Sequence, residues 1–503
     1  MKTQAFCSLL SKASVVALAL ASGWASAQQL YRLTDLGTLG GPTSWATAMN
    51  DSGQVTGSSS PSVVSVWHAF VWTGTTMKDL GKLDEHVSDG WDINDSGQVV
   101  GDADLDKDLD ADRVFMWNGS TRKTLGRGTG AGINASGQVT GSKVFSGDVN
   151  PHPFLWDGST MRDLGTLGGT AGQSSAINVA GQVTGWATTE GNASSHAFLW
   201  NGSTMQDLGT LGGTYSAGNA INASGRVTGD SLLAGDAITR AFLWDGSTMR
   251  DLGSLDGSGS SIGYAINDSG QVTGSSSFAG SQGHAFLWDG SVMRDLGTLG
   301  TISVGTAINA TAQVTGYSRL SGDESPRAFV SNGGPMVDLN AVIDPQDPLK
   351  RRVVLRQGVD INARGQIAAN GYDSQIKQGH AYLVTPLEYR ILYVAPVAGS
   401  KWKQGTTLPV KFALVDVKGK RISDSRAASL VATPCKVKFS ASGAQTKAAV
   451  CMKYNASTNE FYFDWKLGTT GTGTATLKVA VTYKFSMPET ITSTRSRAIS
   501  IIQ

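Results

Sequence analysis

Most of the chain follows one pattern of apolar and polar positions that recurs about every 45 residues. One part of the pattern is a polar turn between apolar residues, as in AINDSGQVTG (265–274). The other part is an aromatic segment joined to a return strand by Asp-Gly or Asn-Gly, as in HAFLWDGSVMRDLG (284–297). Because these dipeptides favour tight hairpin turns, each repeat predicts two hairpins and therefore four strands.

Eight copies of the pattern align on the asparagine of the polar turn. The aromatic segments have apolar residues on both faces, which suits strands buried between neighbouring sheets. Four-stranded units of this length are typical of β-propeller blades. The aligned asparagines are Asn50, Asn94, Asn134, Asn178, Asn222, Asn267, Asn309 and Asn362.

The two ends of the repeat region complement each other. YRLTDLG (31–37) is a return strand without an aromatic segment before it, and HAYLV (380–384) is an aromatic segment without a return strand after it. Pairing the two would remove both open sheet edges. We therefore predict an all-β chain whose first domain, residues 28–386, is an eight-bladed β-propeller closed by the N-terminal strand. A seven-bladed ring with one aberrant unit is the alternative.

The motifs DLGTLGG, IN.SGQVTG and HAFLWDG resemble the HAF-type extracellular repeat of bacterial secreted proteins. The resemblance covers roughly residues 33–385. It implies secretion and a β-rich repeat array, and it implies no established activity. The chain departs from the motif in the second unit, which has KTLG in place of DLG, and in the last two units, which lack the tryptophan.

The repeat stops after residue 386, and short alternating patterns predict an immunoglobulin-like β-sandwich over residues 401–503 after a linker over 387–400. PVKF (409–412) and FYFDWKLG (461–468) resemble the PxKF-type domain that often follows HAF repeats. Cys435 and Cys451 flank a predicted hairpin. In an oxidising compartment we expect them to form a disulfide, with two free thiols as the alternative.

The first residues predict export. Lys2, an apolar run from Val15 to Leu20 and the small residues ASA at 25–27 have the order of a signal peptide, which we assign to residues 1–27. No segment is long and apolar enough to predict a membrane span. We expect a secreted monomer, extracellular or periplasmic.

Charge is unevenly spread along the chain. From residue 387 onward 17 lysines and arginines face 6 aspartates and glutamates, and the preceding residues carry 24 against 34. The acidic main body disfavours a nucleic-acid partner. The basic segment predicts contact with an anionic polysaccharide, a cell surface or an acidic protein, unless both regions are simply solvated surfaces.

Five of the six histidines open aromatic segments, and arginine takes that position in the other units. A position that accepts either residue predicts a structural hydrogen-bond donor and not a catalytic base. The expected acceptor is the aspartate of DLG, one hairpin away. These predicted structural residues are His68, His152, His196, His284, His380, Asp79, Asp163, Asp207, Asp251 and Asp295.

Two acidic stretches lie off the pattern. The first contains His86 among acidic residues and could form a ligand or metal site, but an exposed loop is the preferred interpretation. Alternating aspartates, of which Asp102, Asp104 and Asp106 are the first three, are the candidate ligands of Ca²⁺. The stretch lacks the glycine and glutamate of an EF-hand loop, so we favour a solvated loop here and predict no other cofactor.

Trp45, Trp91 and Trp186 lie outside the regular aromatic positions. We expect them in loops between blades, where exposed aromatic rings can stack on sugars; packing between blades is the alternative interpretation. The repeats contain no unique catalytic constellation. The sequence therefore predicts a non-enzymatic binding or adhesion protein whose propeller loops recognise an extracellular glycan or protein.

An extracellular glycoside hydrolase or polysaccharide lyase, with its site in the central cleft, is the alternative function. Such an enzyme needs paired carboxylates. Glu85, Glu190 and Glu324 are the glutamates of the repeat region, and none of them forms a recognisable pair with another.

Overall fold

The computed structural model describes residues 29–503 with internal gaps. His86, Asp106 and Cys435 fall in these gaps, and the predicted signal peptide precedes the described region, so the proposals that depend on them stay predictions. The gaps are 63–65, 82–86, 105–112, 279–282, 323–324, 388, 396–400, 405, 417–420, 423–426, 428–436, 444–445, 458–459, 468–472, 485–489 and 503.

Residues 31–386 form eight sets of four strands. The first strand, β1, spans Tyr31–Asp35 and joins the last set. The first three sets are β2 (Ser44–Met49), β3 (Val55–Ser59), β4 (His68–Trp72) and β5 (Met77–Asp79); β6 (Val87–Ile93), β7 (Val99–Asp104), β8 (Arg113–Trp117) and β9 (Arg122–Arg127); β10 (Thr129–Ile133), β11 (Val139–Lys143), β12 (His152–Trp156) and β13 (Met161–Asp163).

The fourth and fifth sets share one hydrogen-bonded sheet through a single parallel pairing of Ser195 with Tyr215. A short 3-10 turn, Glu190–Asn192, lies within the fourth set. The strands are β14 (Gly168–Ile177), β15 (Val183–Thr189), β16 (Ser195–Trp200) and β17 (Met205–Asp207); β18 (Gly212–Ile221), β19 (Val227–Leu233), β20 (Thr239–Trp244) and β21 (Met249–Asp251).

The last three sets complete the repeat region. Within each set, strands that are consecutive in the chain pair antiparallel, as the two predicted hairpins require. The strands are β22 (Ser261–Ile266), β23 (Val272–Ser276), β24 (His284–Trp288) and β25 (Met293–Asp295); β26 (Ser303–Ile308), β27 (Val314–Arg319), β28 (Pro326–Ser331) and β29 (Val337–Asp338); β30 (Val353–Ile361), β31 (Ile367–Asp373) and β32 (Gln378–Pro386).

The eighth set takes its fourth strand from the other end of the repeat region. β1 pairs antiparallel with β32, so that Asp35 lies opposite Tyr382 and Tyr31 opposite Pro386. This is the pairing that the two incomplete repeats predict. Tyr31 and Leu33 are buried by it.

Glycine is required where two backbones approach each other closely. In the sixth set a Cβ at Gly274 would collide with the carbonyl oxygen of Ile262, its neighbour across the hairpin. The ring of Phe286 covers the same glycine from the adjacent strand. Gly270 serves a different purpose, since its φ of 80° closes the polar turn. The repeated GQVTG motif therefore follows from backbone geometry.

Eight hydrophobic clusters lie between consecutive sheets. In a typical cluster Phe286 and Trp288 of one sheet pack against Leu243 and Leu252 of the sheet before it. Another cluster joins the first and last sheets through residues that include Phe70 and Leu383. Each sheet thus buries both of its faces against neighbours, which explains why the aromatic strands are apolar on both sides.

The asparagines of the polar turns link each unit to the next. Nδ2 of Asn50 donates to the carbonyl oxygen of Asn94 at 2.9 Å, and equivalent bonds follow around the units. Asn362 completes the series by donating to the carbonyl oxygen of Asn50 at 3.3 Å. We call these eight residues the asparagine ring. All eight are buried.

A basic side chain on the fourth strand of several sheets stacks on the tryptophan of the next sheet. The Arg162 guanidinium lies 4.7 Å from the Trp200 ring and the Arg250 guanidinium 4.9 Å from the Trp288 ring. The seventh unit has Ser331 in place of tryptophan. Arg294 of the sixth unit therefore has no tryptophan in the next sheet to stack on, and it forms an ion pair with Asp289 of its own sheet.

Residues after 386 form two further sheets that share one hydrophobic core, in which Phe412, Phe439 and Trp465 are buried. The strands are β33 (Tyr389–Ala395), β34 (Lys401–Lys403), β35 (Thr407–Asp416), β36 (Val437–Gly443), β37 (Lys447–Cys451), β38 (Lys453–Asn455), β39 (Glu460–Lys466), β40 (Gly473–Lys484) and β41 (Thr490–Ile502). The sheets have the orders β33-β35-β39-β38 and β34-β41-β40-β36-β37. The prediction that residues 387–400 are a linker is wrong for β33, because its residues pair with β35.

Within the described part of the chain, none of the helices reaches the length and apolarity that crossing a bilayer would require. The hairpin predicted next to Cys451 is present, since β36 pairs with β37.

The first prediction concerns β1. Replacing the buried Leu33 by alanine should lower the free energy of unfolding by about 2–5 kcal/mol, because it opens a cavity between the last two sheets. Deleting residues 29–37 should destabilise the protein further by exposing the edge of β32. Thermal denaturation measures both effects, with exposed Val292→Ala as the control. An unchanged melting temperature of the deletion variant would show that β1 is dispensable.

The second prediction concerns the cation–π contacts. Arg250→Ala should cost about 0.5–1 kcal/mol of stability, because it removes the cation from the Trp288 ring. Gln206 holds the equivalent position in the fourth unit, so Gln206→Ala is the matched control and should cost less. Equal losses in the two variants, measured by chemical denaturation, would mean that the charge contributes nothing.

Candidate binding site on the inner wall

The first strand of each sheet faces the centre of the repeat region. These eight inner strands contact one another in order, and β2 also contacts β30. A central cavity of about 450 Å³ is lined by the polar turns of all eight units. We call the inner strands, together with the second strands beside them, the inner wall. The inner strands are β2, β6, β10, β14, β18, β22, β26 and β30.

Exposed aromatic side chains are concentrated on this wall. Among the side chains that the structure describes, four aromatic residues are exposed, and all four lie on inner strands. They are Trp45 (48 % exposed), Trp91 (43 %), Tyr215 (36 %) and Tyr264 (39 %). Water-accessible aromatic rings in a concave surface are characteristic of ligand sites.

The predicted positions of the three tryptophans need correction. They lie in strands and not in loops between blades: Trp45 in β2, Trp91 in β6 and Trp186 in β15. Trp186 is half-buried and pairs with Gln173 across the hairpin. A surface of strands is more rigid than one of loops, so the rings are held in place before any ligand arrives.

A β-bulge places Trp91 on the wall. It is the extra residue between Gly90 and Asp92, where the pairing with β7 shifts register. Its indole Nε1 donates to Oδ2 of Asp102 at 2.8 Å, which fixes the orientation of the ring. Bulges of this kind re-aim one side chain without ending the strand.

Asp102 is buried beneath this tryptophan. Its Oδ1 accepts the backbone N–H of Gly130 in the next sheet at 2.5 Å. Burial raises the pKa of the Asp102 carboxyl to about 7. The hydrogen bonds from Gly130 and Trp91 lower this pKa, and the charge of Asp89 raises it. Asp89 lies directly across the strand pair and accepts a hydrogen bond from Ser58.

The interpretation of residues 101–113 as a solvated loop is wrong at its beginning. Asp102 and Asp104 lie in β7 and are 4 % and 1 % exposed. Among the described residues, Asp102 and Asp104 do not belong to any group of three side chains that could bind one metal ion together. The one such group consists of Asp148, His152 and Asp163, whose ligand atoms lie within 4.8 Å of one another.

Two more carboxylates, both half-buried, connect neighbouring units. Oδ2 of Asp92 accepts the N–H of Ile133 at 2.9 Å, and Oδ2 of Asp360 accepts that of Met49 at 3.0 Å. Burial raises the pKa of Asp92, and it raises that of Asp360 to about 6. At the equivalent position the other six units have alanine or glycine, so these aspartates occur at only two of the contacts between units.

The five described histidines occupy structural positions. In each case Nδ1 lies within hydrogen-bonding distance of the aspartate on the return strand, and Arg240 takes the role opposite Asp251 at 3.9 Å. His380 differs because its partner, Asp35, comes from β1. The distances are 3.0 Å for His68–Asp79, 3.2 Å for His152–Asp163, 2.9 Å for His196–Asp207, 3.0 Å for His284–Asp295 and 2.9 Å for His380–Asp35.

A groove of about 480 Å³ beside the third unit contains two basic side chains. Lys143 belongs to β11 and therefore to the inner wall, whereas Arg127 belongs to β9, the fourth strand of the second set. Gln173, Val144 and Pro151 are among the other lining residues. The inner wall therefore presents aromatic, acidic and basic groups on frameworks that are nearly the same in every unit.

Comparison with known proteins assigns no family. No family model matches the chain, and no curated protein matches it. Similar solved structures include TolB from Acinetobacter baumannii (13 % identity, 52 % of this chain and 61 % of that chain, TM-score 0.29) and TolB from Agrobacterium tumefaciens, described as putative in its own name (12 %, 55 % and 87 %, 0.29). A prolyl endopeptidase structure covers 78 % of this chain and 55 % of its own at 10 % identity and a TM-score of 0.39. Similarities this weak assign neither fold nor function.

The third prediction follows from the buried carboxyl of Asp102. Its native pKa of about 7 exceeds the ordinary value of 3.8, so ionisation costs more in the folded state. The native protein should therefore lose stability as pH rises from about 4 through 7, by up to ~4 kcal/mol from this residue. Asp102→Asn should flatten the dependence, because the amide does not ionise. Denaturation at pH 4.5 and pH 8 tests this, with exposed Glu190→Gln as the control; parallel profiles for wild type and Asp102→Asn would refute it.

Proposed function

We propose that the eight four-stranded sheets are the blades of a closed eight-bladed β-propeller of the HAF-type repeat class. The asparagine ring and the cluster between the first and last sheets support closure. The three features of the predicted signal peptide, which lie outside the described residues, support a protein located in the periplasm or outside the cell. The two sheets that follow residue 386 are then an immunoglobulin-like spacer or anchor.

We infer that the inner wall binds a glycan without chemical turnover. The observation that carries this proposal is the placement of every exposed aromatic side chain of the described residues on inner strands. At the Trp91 position the other units have residues such as Thr47, Ala131 and Thr306, so a large ring is not needed for the fold. Aromatic faces beside carboxylates and amides suit sugars, which have apolar ring faces and polar hydroxyls.

A glycoside hydrolase remains a second candidate because Asp89 and Asp102 lie directly opposite each other and the pKa of Asp102 is raised. Paired carboxyls with separated pKa values are what acid–base hydrolysis requires. However, Asp102 is 4 % exposed and both of its oxygens already accept hydrogen bonds. This burial favours a role in positioning Trp91.

The fourth prediction tests the glycan proposal. A glycan that binds the wild-type protein on an array should bind Trp45→Ala or Trp91→Ala at least ten-fold more weakly, equivalent to about 1.4 kcal/mol. Val292→Ala, which removes exposed apolar surface away from the inner wall, should bind normally. Unchanged affinity of both tryptophan variants would contradict the proposed site. Release of reducing sugars in a parallel assay would replace the binding proposal by the hydrolase.

A further inference from the structure

Three tyrosines and one aspartate lie together on the inner wall in the fifth to seventh units. Tyr215 and Asp230 belong to the fifth unit, Tyr264 to the sixth and Tyr317 to the seventh. We call them the tyrosine cluster. It lies across the ring of units from Trp45 and Trp91, which belong to the first and second units.

Strand pairing puts Tyr215 on the same face as the aspartate. Asp230 pairs with Ala217, which lies two residues after Tyr215 on β18. Side chains two residues apart in a strand point to the same face. The carboxylate therefore faces the side of the sheet from which the Tyr215 ring projects. Burial raises the pKa of Tyr215, and the charge of Asp230 raises it further.

Asn219 connects this acid to the next unit. Its Nδ2 donates to Oδ1 of Asp230 at 3.1 Å and to the carbonyl oxygen of Gly263 at 3.0 Å. Gly263 directly precedes Tyr264, which is the extra residue of a β-bulge on β22. The bulge is equivalent to the one that presents Trp91.

Tyr264 lies near Asp230, because Asn219 joins that carboxylate to the residue directly before Tyr264. Burial raises the pKa of Tyr264 most, a hydrogen bond with Ser275 lowers it, and the nearby Tyr317 and Asp230 raise it. Tyr264 is 39 % exposed and Tyr215 36 % exposed, while Tyr317 and Asp230 are half-buried. The cluster is therefore a partly open aromatic site with a carboxylate at its base.

The framework of the fold does not need a tyrosine at position 264 or 317. At the Tyr264 position the seventh unit has Thr306, whose hydroxyl donates to the carbonyl oxygen of Gly358 in the next unit. At the Tyr317 position the first unit has Ser58. The same strands form with small polar residues at these positions, so the tyrosines point to a role other than packing.

The faces of tyrosine rings carry partial negative charge and attract cations, and a desolvated carboxylate strengthens the attraction. Among the described residues, no basic side chain forms an ion pair with Asp230, and its carboxylate accepts a hydrogen bond from the neutral amide of Asn219. The repeat region as a whole is acidic.

We infer that the tyrosine cluster binds a positively charged amino group, and that the ligand is a glycan with free amines, of the glucosamine type. The inference rests on the proposed glycan-binding function and specifies the substrate class. The ammonium group would contact the tyrosine faces and the Asp230 carboxylate, while neighbouring sugar rings stack on other aromatic residues of the wall.

The fifth prediction compares two oligosaccharides of equal length, one of glucosamine and one of N-acetylglucosamine, by isothermal titration calorimetry. The wild-type protein should bind the amine form at least ten-fold more tightly. Asp230→Asn and Tyr264→Ala should each reduce this preference to less than three-fold. Tyr264→Phe, which keeps the aromatic face, and Glu190→Gln, which removes a distant negative charge, should retain it. Matching melting temperatures would show that the variants are folded.

A second titration separates this inference from the glycan proposal. Tetramethylammonium carries the charge without a sugar, and its binding should be lost in Asp230→Asn. Binding of both oligosaccharides without preference would overturn the inference and leave the glycan proposal intact. Binding of tetramethylammonium without either oligosaccharide would support the cation site and contradict the glycan proposal. If the protein binds neither the glucosamine oligosaccharide nor tetramethylammonium, the inference is overturned.

Discussion

The hydrogen bond from each asparagine amide to the asparagine carbonyl of the next unit is the contact on which the arrangement of the repeats depends. A single four-stranded sheet with apolar residues on both faces cannot be stable alone, because it has to cover both faces. The asparagine bond sets how each sheet meets its neighbour, from Asn50 to Asn94 and finally from Asn362 back to Asn50. Buried amides that are fully hydrogen-bonded specify one geometry, since any other leaves them unpaired.

This repeated constraint separates two kinds of position. Phe286, Gly274 and their equivalents are nearly the same in every unit, because each fills or clears the same space between strands. The residue at the bulge, which is Trp91 in the second unit and Tyr264 in the sixth, differs in type from unit to unit, because the bulge turns it out of the packed sheet. The framework can therefore hold eight different sets of side chains around one cavity without any change in its core.

Much of the fold could be predicted from the sequence, because hairpin signals and apolar alternation are local. The two hairpins per repeat, the partnership of the first and last strands and the positions of His284 and Asp295 all follow from such patterns. The site was harder to predict. Trp45 and Trp91 were recognisable as irregular, but the bulge that places Trp91 in a strand leaves no signal in the apolar pattern. Asp102 was assigned to a loop because it begins a run of alternating aspartates, which is typical of an exposed segment.

The sequence by itself determined the strands, their order and their repetition, because turn chemistry and alternating burial act over a few residues. It also marked which residues depart from the repeat. Only the tertiary structure decided that Tyr215, Asp230, Tyr264 and Tyr317 share one surface, since they are up to about a hundred residues apart in the chain. Their proximity depends on the angle at which consecutive sheets pack, and that angle is set by contacts between units, which no single repeat contains.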